Sequence, residues 1–277
     1  LASPMSSTPG STPPSPRPLR RACVLTHGES GPIRDARSRV ERVARSVGVE
    51  IVGPEAGDVD LAVVLGGDGT MLRALHRFLG TDVPVIGVNF GRVGFLSSME
   101  PERMEEGLAR ALSGDFLVVE LPTLEADVDG ARAAAINDVV CASSVVGRMV
   151  ELAWAVGGED LGVLPCDGII CATPPGSTAY NLSSGGPVLV WGLDAMAITF
   201  VSPHSLHARP LVVPRGLELT VWNRTEGVAA KVIVDGLEAG ELGPERRARV
   251  RLGEERSLLA TLPEVTFFRR YRETFAS

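Results

Sequence analysis

The residues best suited to chemistry are a carboxylate inside a glycine-rich turn, Gly66-Gly67-Asp68-Gly69-Thr70. The apolar run at residues 61–65 precedes this turn and favours a buried parallel strand. Glycines can adopt positive φ and let a phosphate approach the bare backbone, and Thr70 is placed to open and cap a helix whose N-terminal amides attract anions. Asp68 would repel a phosphate unless it handles a proton or a metal ion. The turn therefore predicts phosphoryl transfer.

Alternating strand and helix patterns surround this turn. Strands are expected at 22–26, 61–65 and 83–88, and helices within 33–47, at 70–79 and at 101–112. This alternation predicts an α/β N-terminal domain with a Rossmann-like parallel sheet. Such sheets bind ligands at the carboxyl ends of their strands, which is where Asp68 is expected.

After Gly114 the pattern changes to short apolar segments separated by turn residues, at 133–141, 149–156, 169–172, 196–201, 217–222 and 229–234. These predict a C-terminal, mainly antiparallel β-sandwich domain. The last stretch has helical spacing and is expected to pack back on the first domain. The predicted organisation is a disordered Ser- and Pro-rich tail (1–19), an α/β domain (20–115), a β domain (116–265) and a C-terminal helix (266–277).

Composition excludes several classes of function. A net charge of −7 argues against a broad nucleic-acid or membrane surface. No apolar stretch approaches the roughly 20 residues that cross a bilayer, so a cytoplasmic enzyme is expected. The four cysteines contain no CxxC pair and are interpreted as buried thiols. His204 and His207 lack further ligands nearby in the chain, so no protein-held metal site is predicted.

Three more segments carry candidate chemistry. Asn137-Asp138 combines an amide, which can pair with an adenine edge, and a carboxylate, which can accept bonds from sugar hydroxyls. Asp167 precedes an apolar strand. The hydroxyl-rich stretch from Thr173 to Ser183 can expose donors at the start of a short helix, with Tyr180 adding a flat face. Each segment taken alone is also typical of an ordinary turn or loop.

Together these segments resemble the NAD kinases in order and approximate spacing. The resemblance includes GGDGT at 66–70, the Asn-acid pair at 137–138, the Asp-Gly at 167–168, PGSTAY at 175–180 with Ser183, and GGP at 185–187. The segment VIGVNFGRVGFL at 85–96 also looks like the family's, and the likeness runs from about Arg21 to Phe275. GGDG alone is shared with diacylglycerol, sphingosine and phosphofructokinase-type kinases, so specificity depends on the whole set.

The resemblance implies phosphorylation of NAD at the adenosine ribose 2′-hydroxyl to give NADP, with ATP or polyphosphate as donor. Asp68 is then the general base, and Mg²⁺, held through the nucleotide phosphates, offsets charge. The implied phosphate loop comprises Gly66, Gly67, Gly69, Thr70 and Arg73. The implied NAD-binding residues are Asp68, Gly69, Asn137, Asp138, Arg148, Asp167, Thr178, Ala179, Tyr180, Asn181, Leu182 and Ser183. A homodimer or homotetramer is also implied.

The chain departs from the family's pattern at three positions. Asp138 stands where Glu is common, which shortens its reach to the sugar by one methylene. Pro165 stands where many bacterial members have an Arg that touches the nicotinamide side of the substrate. The preference of this chain for NAD or NADH is therefore left open. Leu237 stands where Gln is frequent and is left out of the site. The alternatives are a lipid kinase of the diacylglycerol-kinase type and a non-catalytic dinucleotide-binding regulator.

Overall fold

The computed structural model describes residues 10–12, 18–28, 30–91, 94–243 and 246–276. The chain divides into two compact units, one comprising Leu1–Leu121 with Ser257–Ser277 and the other Pro122–Arg256. Both limits between the units fall inside long strands, which span residues 117–128 and 247–261. The expected tail falls largely on residues 1–9 and 13–17, which lie outside the described residues. Within it, Ser11 and Thr12 pair antiparallel with residues 119 and 118.

The first unit alternates strands and helices along the chain. In order it contains β1 (Ser11–Thr12), β2 (Arg21–Thr26), α1 (Gly31–Ser46), β3 (Glu50–Val52), β4 (Leu61–Gly66), α2 (Asp68–Arg77), β5 (Val85–Asn89), a 3-10 turn (Pro101–Arg103) and α3 (Met104–Leu112). Strand β6 (Leu117–Val128) begins in this unit and continues into the second.

A parallel sheet forms the centre of this unit, with strand order β3-β2-β4-β5. Every residue of β4 and β5 is buried, as the continuous apolar sequence of a doubly covered strand requires. Helix α1 buries Ile33, Ala36, Val40 and Ala44, a spacing of three to four residues that places them on one face. The predicted Rossmann-like α/β architecture is confirmed.

The second unit consists mainly of strands. It contains β7 (Ala131–Ala135), β8 (Asp138–Ser143), β9 (Val150–Val156), β10 (Glu159–Cys166), β11 (Gly168–Ala172), a second 3-10 turn (Gly176–Thr178), α4 (Tyr180–Ser183), β12 (Ala195–Val201), β13 (Leu211–Pro214), β14 (Leu219–Asn223), β15 (Ala230–Val234) and β16 (Leu237–Leu242). Strand β17 (Arg247–Thr261) then crosses the unit boundary, and α5 (Phe267–Phe275) ends the described elements.

Two antiparallel sheets of the second unit enclose one core. One sheet has the order β13-β12-β11-β8-β15-β16, and the other contains β10-β9-β14-β17. Leu152 and Val221 from the latter share a buried cluster with Cys141, Ile169 and Ile198 from the former. The predicted antiparallel sandwich is therefore confirmed.

Several element boundaries differ from the sequence expectations. The expected strand at 133–141 is interrupted at Ile136 and Asn137, which separate β7 from β8. Strands β1, β3, β6, β10, β13, β16 and β17 were not expected. The first five residues of β10 are exposed, so this strand lacks the apolar pattern that would have predicted it.

Helix α5 belongs to the first unit and packs there. Phe267 is fully buried, and its ring meets that of Phe95 edge-on at a centroid distance of 5.4 Å. The ring of Phe275 stacks on the same Phe95 at 6.0 Å. The prediction that the C-terminal segment packs back on the first domain is confirmed.

All four cysteines are buried and unbridged, as predicted. Burial raises the pKa of the Cys23 thiol to about 11 and the pKa values of Cys141 and Cys166 to about 12. Such thiols stay protonated and unreactive at neutral pH. In the part of the chain that is described, no helix combines the length and apolar character needed to traverse a membrane.

Candidate active site

The glycine-rich turn lies at the carboxyl end of β4, as predicted. Strand β4 ends at Gly66, Gly67 is the N-cap of α2, and Asp68 is the first helical residue. The expectation that Thr70 opens the helix was therefore wrong. Thr70 lies inside the first turn and is buried, with its amide donating to the Gly67 carbonyl at 2.9 Å.

Close approach of another side chain requires a glycine at position 66 of this turn, and the expected positive φ was wrong. Gly66, Gly67 and Gly69 all lie outside the positive-φ set. A Cβ on Gly66 would lie 2.5 Å from the Thr70 Oγ1, and one on Gly67 would lie 3.5 Å from the Gly91 Cα. Gly69 is exposed, and a Cβ there would meet no atom within 4 Å. Packing within the protein therefore leaves the approach to Gly69 open.

The Asp68 carboxylate is held by two backbone amides. Its Oδ2 accepts from the Phe95 N–H at 2.7 Å, and its Oδ1 accepts from the Leu96 N–H at 3.1 Å. Each carboxylate oxygen has a second lone pair, and the side chain is half-buried rather than enclosed. Asp68 is thus fixed in orientation and still able to accept a proton. Arg92 and Val93, in the segment leading to these amides, lie outside the described residues.

Sequence reasoning missed Arg270, a buried residue of α5 that contacts the same segment. Its Nη1 donates to the Phe95 carbonyl at 2.6 Å, and its Nη2 donates to the Ser98 Oγ at 3.1 Å. The mixture of basic and apolar residues in α5 was visible in the sequence. Which of its arginines turns inward was not.

The two arginines expected to meet phosphates are both exposed. Arg73 lies in α2, and Arg148 lies in the loop before β9. Within the described residues, neither side chain forms an ion pair with a carboxylate. Both charges are therefore available to a ligand.

In the second unit, Asp235 fixes the turn that carries Asn137 and Asp138. Its carboxylate accepts from the backbone N–H groups of Ile136, Asn137 and Asp138 at 2.7, 2.8 and 3.0 Å. Asp235 itself has a φ of 47°, which the following Gly236 continues at 83°. The signal in the sequence that could have identified Asp235 is an Asp-Gly pair directly after an apolar strand.

Asn137 and Asp138 both have properties expected of residues that bind a polar ligand. The Asn137 Oδ1 is buried and has no hydrogen-bond partner among the described residues. Asp138 is 7% exposed. Burial, reinforced by the charge of Asp235, raises the pKa of Asp138 to about 7. A buried acceptor without a donor and a carboxyl group of raised pKa are typical of functional sites.

The segment after β11 is bound to the same turn. The Thr173 Oγ1 donates to the Ile136 carbonyl at 2.6 Å, and the Thr173 amide donates to the Asn137 carbonyl at 2.9 Å. A Cβ on Gly176 would lie 2.0 Å from the Asn137 carbonyl oxygen. The structure therefore brings two of the predicted motifs, 137–138 and 173–183, against each other.

The remaining predicted residues of this segment differ in accessibility. Tyr180 and Ser183 are exposed, and Thr178, Ala179 and Leu182 are half-buried. Asn181 is fully buried, with its Nδ2 donating to the carbonyls of Ser177 and Pro187 and its Oδ1 accepting from the Thr199 hydroxyl. Its amide thus stabilises the loop. Asp167 is half-buried, and its amide donates to the Val201 carbonyl at 2.9 Å.

A cavity of about 340 Å³ in the first unit borders the segment that holds Asp68. Ser97 and Arg270 are among its lining residues. Its other charged residues largely neutralise one another, through the pairs Arg103–Glu106, Arg110–Glu264 and Arg269–Glu273. The cavity therefore offers no net charge to attract a phosphate, and we do not assign the substrate to it.

Protein ligands for a metal ion are sparse. Over the described residues, no group of three or more His, Cys, Asp or Glu side chains could hold a metal. Mg²⁺ commonly binds through one or two carboxylates together with substrate phosphates and water. The single carboxylate of Asp68 fits a Mg²⁺ ion whose other ligands would be nucleotide phosphates and water.

Comparisons with known proteins agree along most of the chain. The model of the ATP-NAD kinase N-terminal domain matches residues 22–116, and that of the ATP-NAD kinase C-terminal domain matches residues 136–262. The NAD kinase of Gemmatimonas aurantiaca is 39% identical over 220 residues, covering 77% of this chain and 76% of that protein. The NAD kinase of Heliobacterium modesticaldum is 36% identical over 261 residues, covering 92% and 86%.

Solved structures give the same result. A crystal structure of an NAD kinase from Archaeoglobus fulgidus in complex with ATP matches with a TM-score of 0.76 and 27% identity, covering 92% of this chain and 97% of that chain. Yeast NADH kinase complexed with NADH has a TM-score of 0.83 at 22% identity, covering 94% and 88%, and supports the fold. The chain therefore belongs to the NAD kinase family, and it is an enzyme that phosphorylates NAD.

Proposed function

We propose that the enzyme transfers the γ-phosphoryl group of ATP to the 2′-hydroxyl of the adenosine ribose of NAD, giving NADP. The observation that carries this proposal is the Asp68 carboxylate, held by two backbone amides at the carboxyl end of a parallel strand. A ribose hydroxyl is a weak nucleophile, so a positioned acceptor for its proton lowers the barrier. The Archaeoglobus fulgidus enzyme, crystallised with ATP, supports ATP as the donor.

In the proposed step Asp68 takes the proton from O2′ while that oxygen bonds to phosphorus and ADP departs. The backbone of Gly66, Gly67 and Gly69 lies against the transferred group, at the amino end of α2 where amides attract anions. Thr70 supports the turn, and Arg73 reaches the donor phosphates. Mg²⁺ bound to the nucleotide supplies charge neutralisation for the leaving phosphates.

The NAD-binding residues are proposed in the second unit. The orphaned Asn137 Oδ1 accepts from the adenine edge, and Asp138 accepts from ribose hydroxyls. Further contacts are proposed from Thr178, Ala179, Tyr180, Leu182 and Ser183, and from Asp167 and Arg148. The accessibility of these side chains supports the assignment. For Asn181, whose amide is already bonded, we propose contact through its backbone.

Replacing Gly69 with Ala distinguishes an effect on folding from an effect on the approach of a phosphate to the backbone. An added methyl meets no protein atom within 4 Å, and Ala is favoured over Gly in a helix, so the melting temperature should not fall. If a phosphoryl group packs against the bare Cα, the methyl displaces it and kcat falls by roughly 10–100-fold. Steady-state kinetics and thermal unfolding measure both quantities. A variant with unaltered kcat would contradict the assigned position of the phosphate.

Asp138 predicts a pH-dependent affinity for NAD. Because its pKa is raised to about 7, the carboxyl group gains a proton as the pH falls through neutrality and can then accept fewer hydrogen bonds from a sugar. The Kd for NAD should therefore be roughly tenfold higher at pH 6 than at pH 8. Asp138→Asn should have a flat profile over this range, measured by calorimetry.

A second variant tests the location of Asp138 in the substrate site. Asp138→Ala should raise the KM for NAD more than the KM for ATP. An increase confined to the KM for ATP would show that Asp138 does not lie in the NAD site.

The proposed function is tested with purified wild-type enzyme and Mg²⁺. NAD and NADH are each assayed against ATP and polyphosphate, with diacylglycerol as a further acceptor. We expect NADP formation from NAD and ATP that stops when EDTA removes the metal. Phosphorylation of diacylglycerol, or binding of NAD without turnover, would support the lipid kinase or the regulator instead.

Assembly and location are proposed on the family resemblance and the buried thiols. We propose a homodimer or homotetramer working in the cytoplasm, where reduced cysteines persist. Light scattering at assay concentration tests the assembly. A fully active monomer contradicts it.

A further inference from the structure

Helix α5 contains one arginine whose environment differs from that of its neighbours. Arg270 is 4% exposed, whereas Arg269 and Arg272 on the same helix are exposed. Burial lowers the pKa of Arg270 to about 10, so the guanidinium remains charged at neutral pH. Removing such a charge from water costs several kcal/mol before compensation. The groups that compensate it indicate what the residue does.

The hydrogen-bond acceptors that the structure describes for Arg270 belong to one short stretch of chain, residues 95–98. The Arg270 Nη1 donates to the carbonyls of Phe95 and Ser97, and its Nη2 donates to the Ser98 Oγ. One rigid, planar cation therefore fixes three successive points of an irregular segment. Lysine, with a compact charge, cannot reproduce this fork geometry.

The same stretch of chain holds Asp68. The Phe95 and Leu96 amides donate to the two carboxylate oxygens, while the Phe95 carbonyl accepts from Arg270. The chain also passes close to the carboxylate, since a Cβ on Gly94 would lie 2.9 Å from the Asp68 Oδ1. Arg270 and Asp68 thus bind the C=O and the N–H of the same residue, Phe95, and a shift of this segment would move both hydrogen bonds to the carboxylate.

We propose that Arg270 is a positioning residue for Asp68, which orients the carboxylate toward the ribose hydroxyl by immobilising residues 95–98. Arg270 does not touch the substrate in this arrangement. The inference rests on the proposed role of Asp68 as the proton acceptor. The charge of Asp68 in turn favours the charged form of Arg270, so each group stabilises the other.

The test compares Arg270→Met, which keeps the side-chain volume, and Arg270→Lys with the control Arg272→Met on the exposed side of α5. We expect Arg270→Met to lower kcat by roughly 10–100-fold, because small misplacements of a reacting group have effects of this size. The Kd for NAD should change less than about twofold, and Arg270→Lys should recover part of the loss. Arg272→Met should match the wild type.

Two further measurements distinguish positioning from general destabilisation. In an Asp68→Asn background, Arg270→Met should cause no additional loss of turnover, because it acts through the missing carboxylate. Hydrogen exchange of the Phe95 and Leu96 amides should accelerate in Arg270→Lys. This variant keeps the positive charge, so it can still be measured if Arg270→Met fails to fold. The proposal would be overturned if the losses of turnover from Asp68→Asn and Arg270→Met multiplied in the double variant, or if the hydrogen exchange of the two amides were unchanged.

Failure of this inference differs from failure of the proposed function. If wild type is active, Asp68→Asn is inactive and the Arg270 variants turn over normally, only the positioning role is wrong. If Asp68→Asn turns over normally, the base assignment itself is wrong.

Discussion

Gly176→Ala should destabilise the protein by about 3 kcal/mol, the upper end of the overpacking range, and lower its melting temperature by roughly 6–12 °C. The added Cβ would lie 2.0 Å from the carbonyl oxygen, 2.4 Å from the carbonyl carbon and 2.7 Å from the Cα of Asn137. Because all three are backbone atoms, no side-chain rotation relieves the contact. Either the 137–138 turn or the segment after β11 must move.

The same displacement should impair NAD binding. The Asn137 turn is fixed on one side by Asp235 and on the other by Thr173, so any movement breaks hydrogen bonds to one of them. We expect the KM for NAD to rise at least about tenfold, a loss near 1.4 kcal/mol. Calorimetry and steady-state kinetics measure the two effects.

Gly243→Ala provides the matched control in the same unit. Its Cβ would meet no atom within 4 Å, and its φ is not positive. Its melting temperature should stay near that of the wild type, since substitutions without such contacts change stability by about 0.5 kcal/mol or less. Equal melting temperatures for the two variants would show that the turn tolerates a methyl at 176.

The sequence was sufficient for features whose causes are local. A continuous apolar run followed by glycines and Asp68 identified β4 and its turn, because strand burial and turn chemistry act over a few residues. The same reasoning misjudged the role of the glycines. Gly66 is needed because the Thr70 side chain approaches it, and only coordinates show an approach of that kind.

The residues that the sequence did not reveal act over long separations. Asp235 binds amides 97 to 99 residues earlier in the chain, and Arg270 binds a carbonyl 175 residues earlier. No short pattern reports such pairings. For the same reason the raised pKa of Asp138 could not be predicted, since it depends on burial and on the distant Asp235.

Asp68→Asn should reduce kcat by roughly 10²–10⁴-fold, the usual contribution of a positioned general base. The substitution keeps the shape of the side chain but removes its capacity to take the ribose proton. One carboxylate oxygen becomes an amide nitrogen, which would face a backbone N–H of Phe95 or Leu96 and lose that hydrogen bond. We therefore expect a modest loss of stability and a nearly unchanged Kd for NAD.

A substitution elsewhere in the same helix serves as the control. His76→Gln, in the last turn of α2, should leave kcat within about twofold of the wild type because position 76 lies two helical turns from the site. A comparable loss in that variant would attribute the effect of Asp68→Asn to the helix rather than to the carboxylate.

The most direct test of the central claim is a single-turnover measurement with wild type and Asp68→Asn, using limiting NAD and saturating MgATP. The rate of formation of NADP isolates the chemical step from binding and release. The account predicts a rate at least about 100-fold slower for Asp68→Asn, with NAD fully bound in both proteins. Equal single-turnover rates would contradict it, because the proton of the ribose hydroxyl would then go to another group.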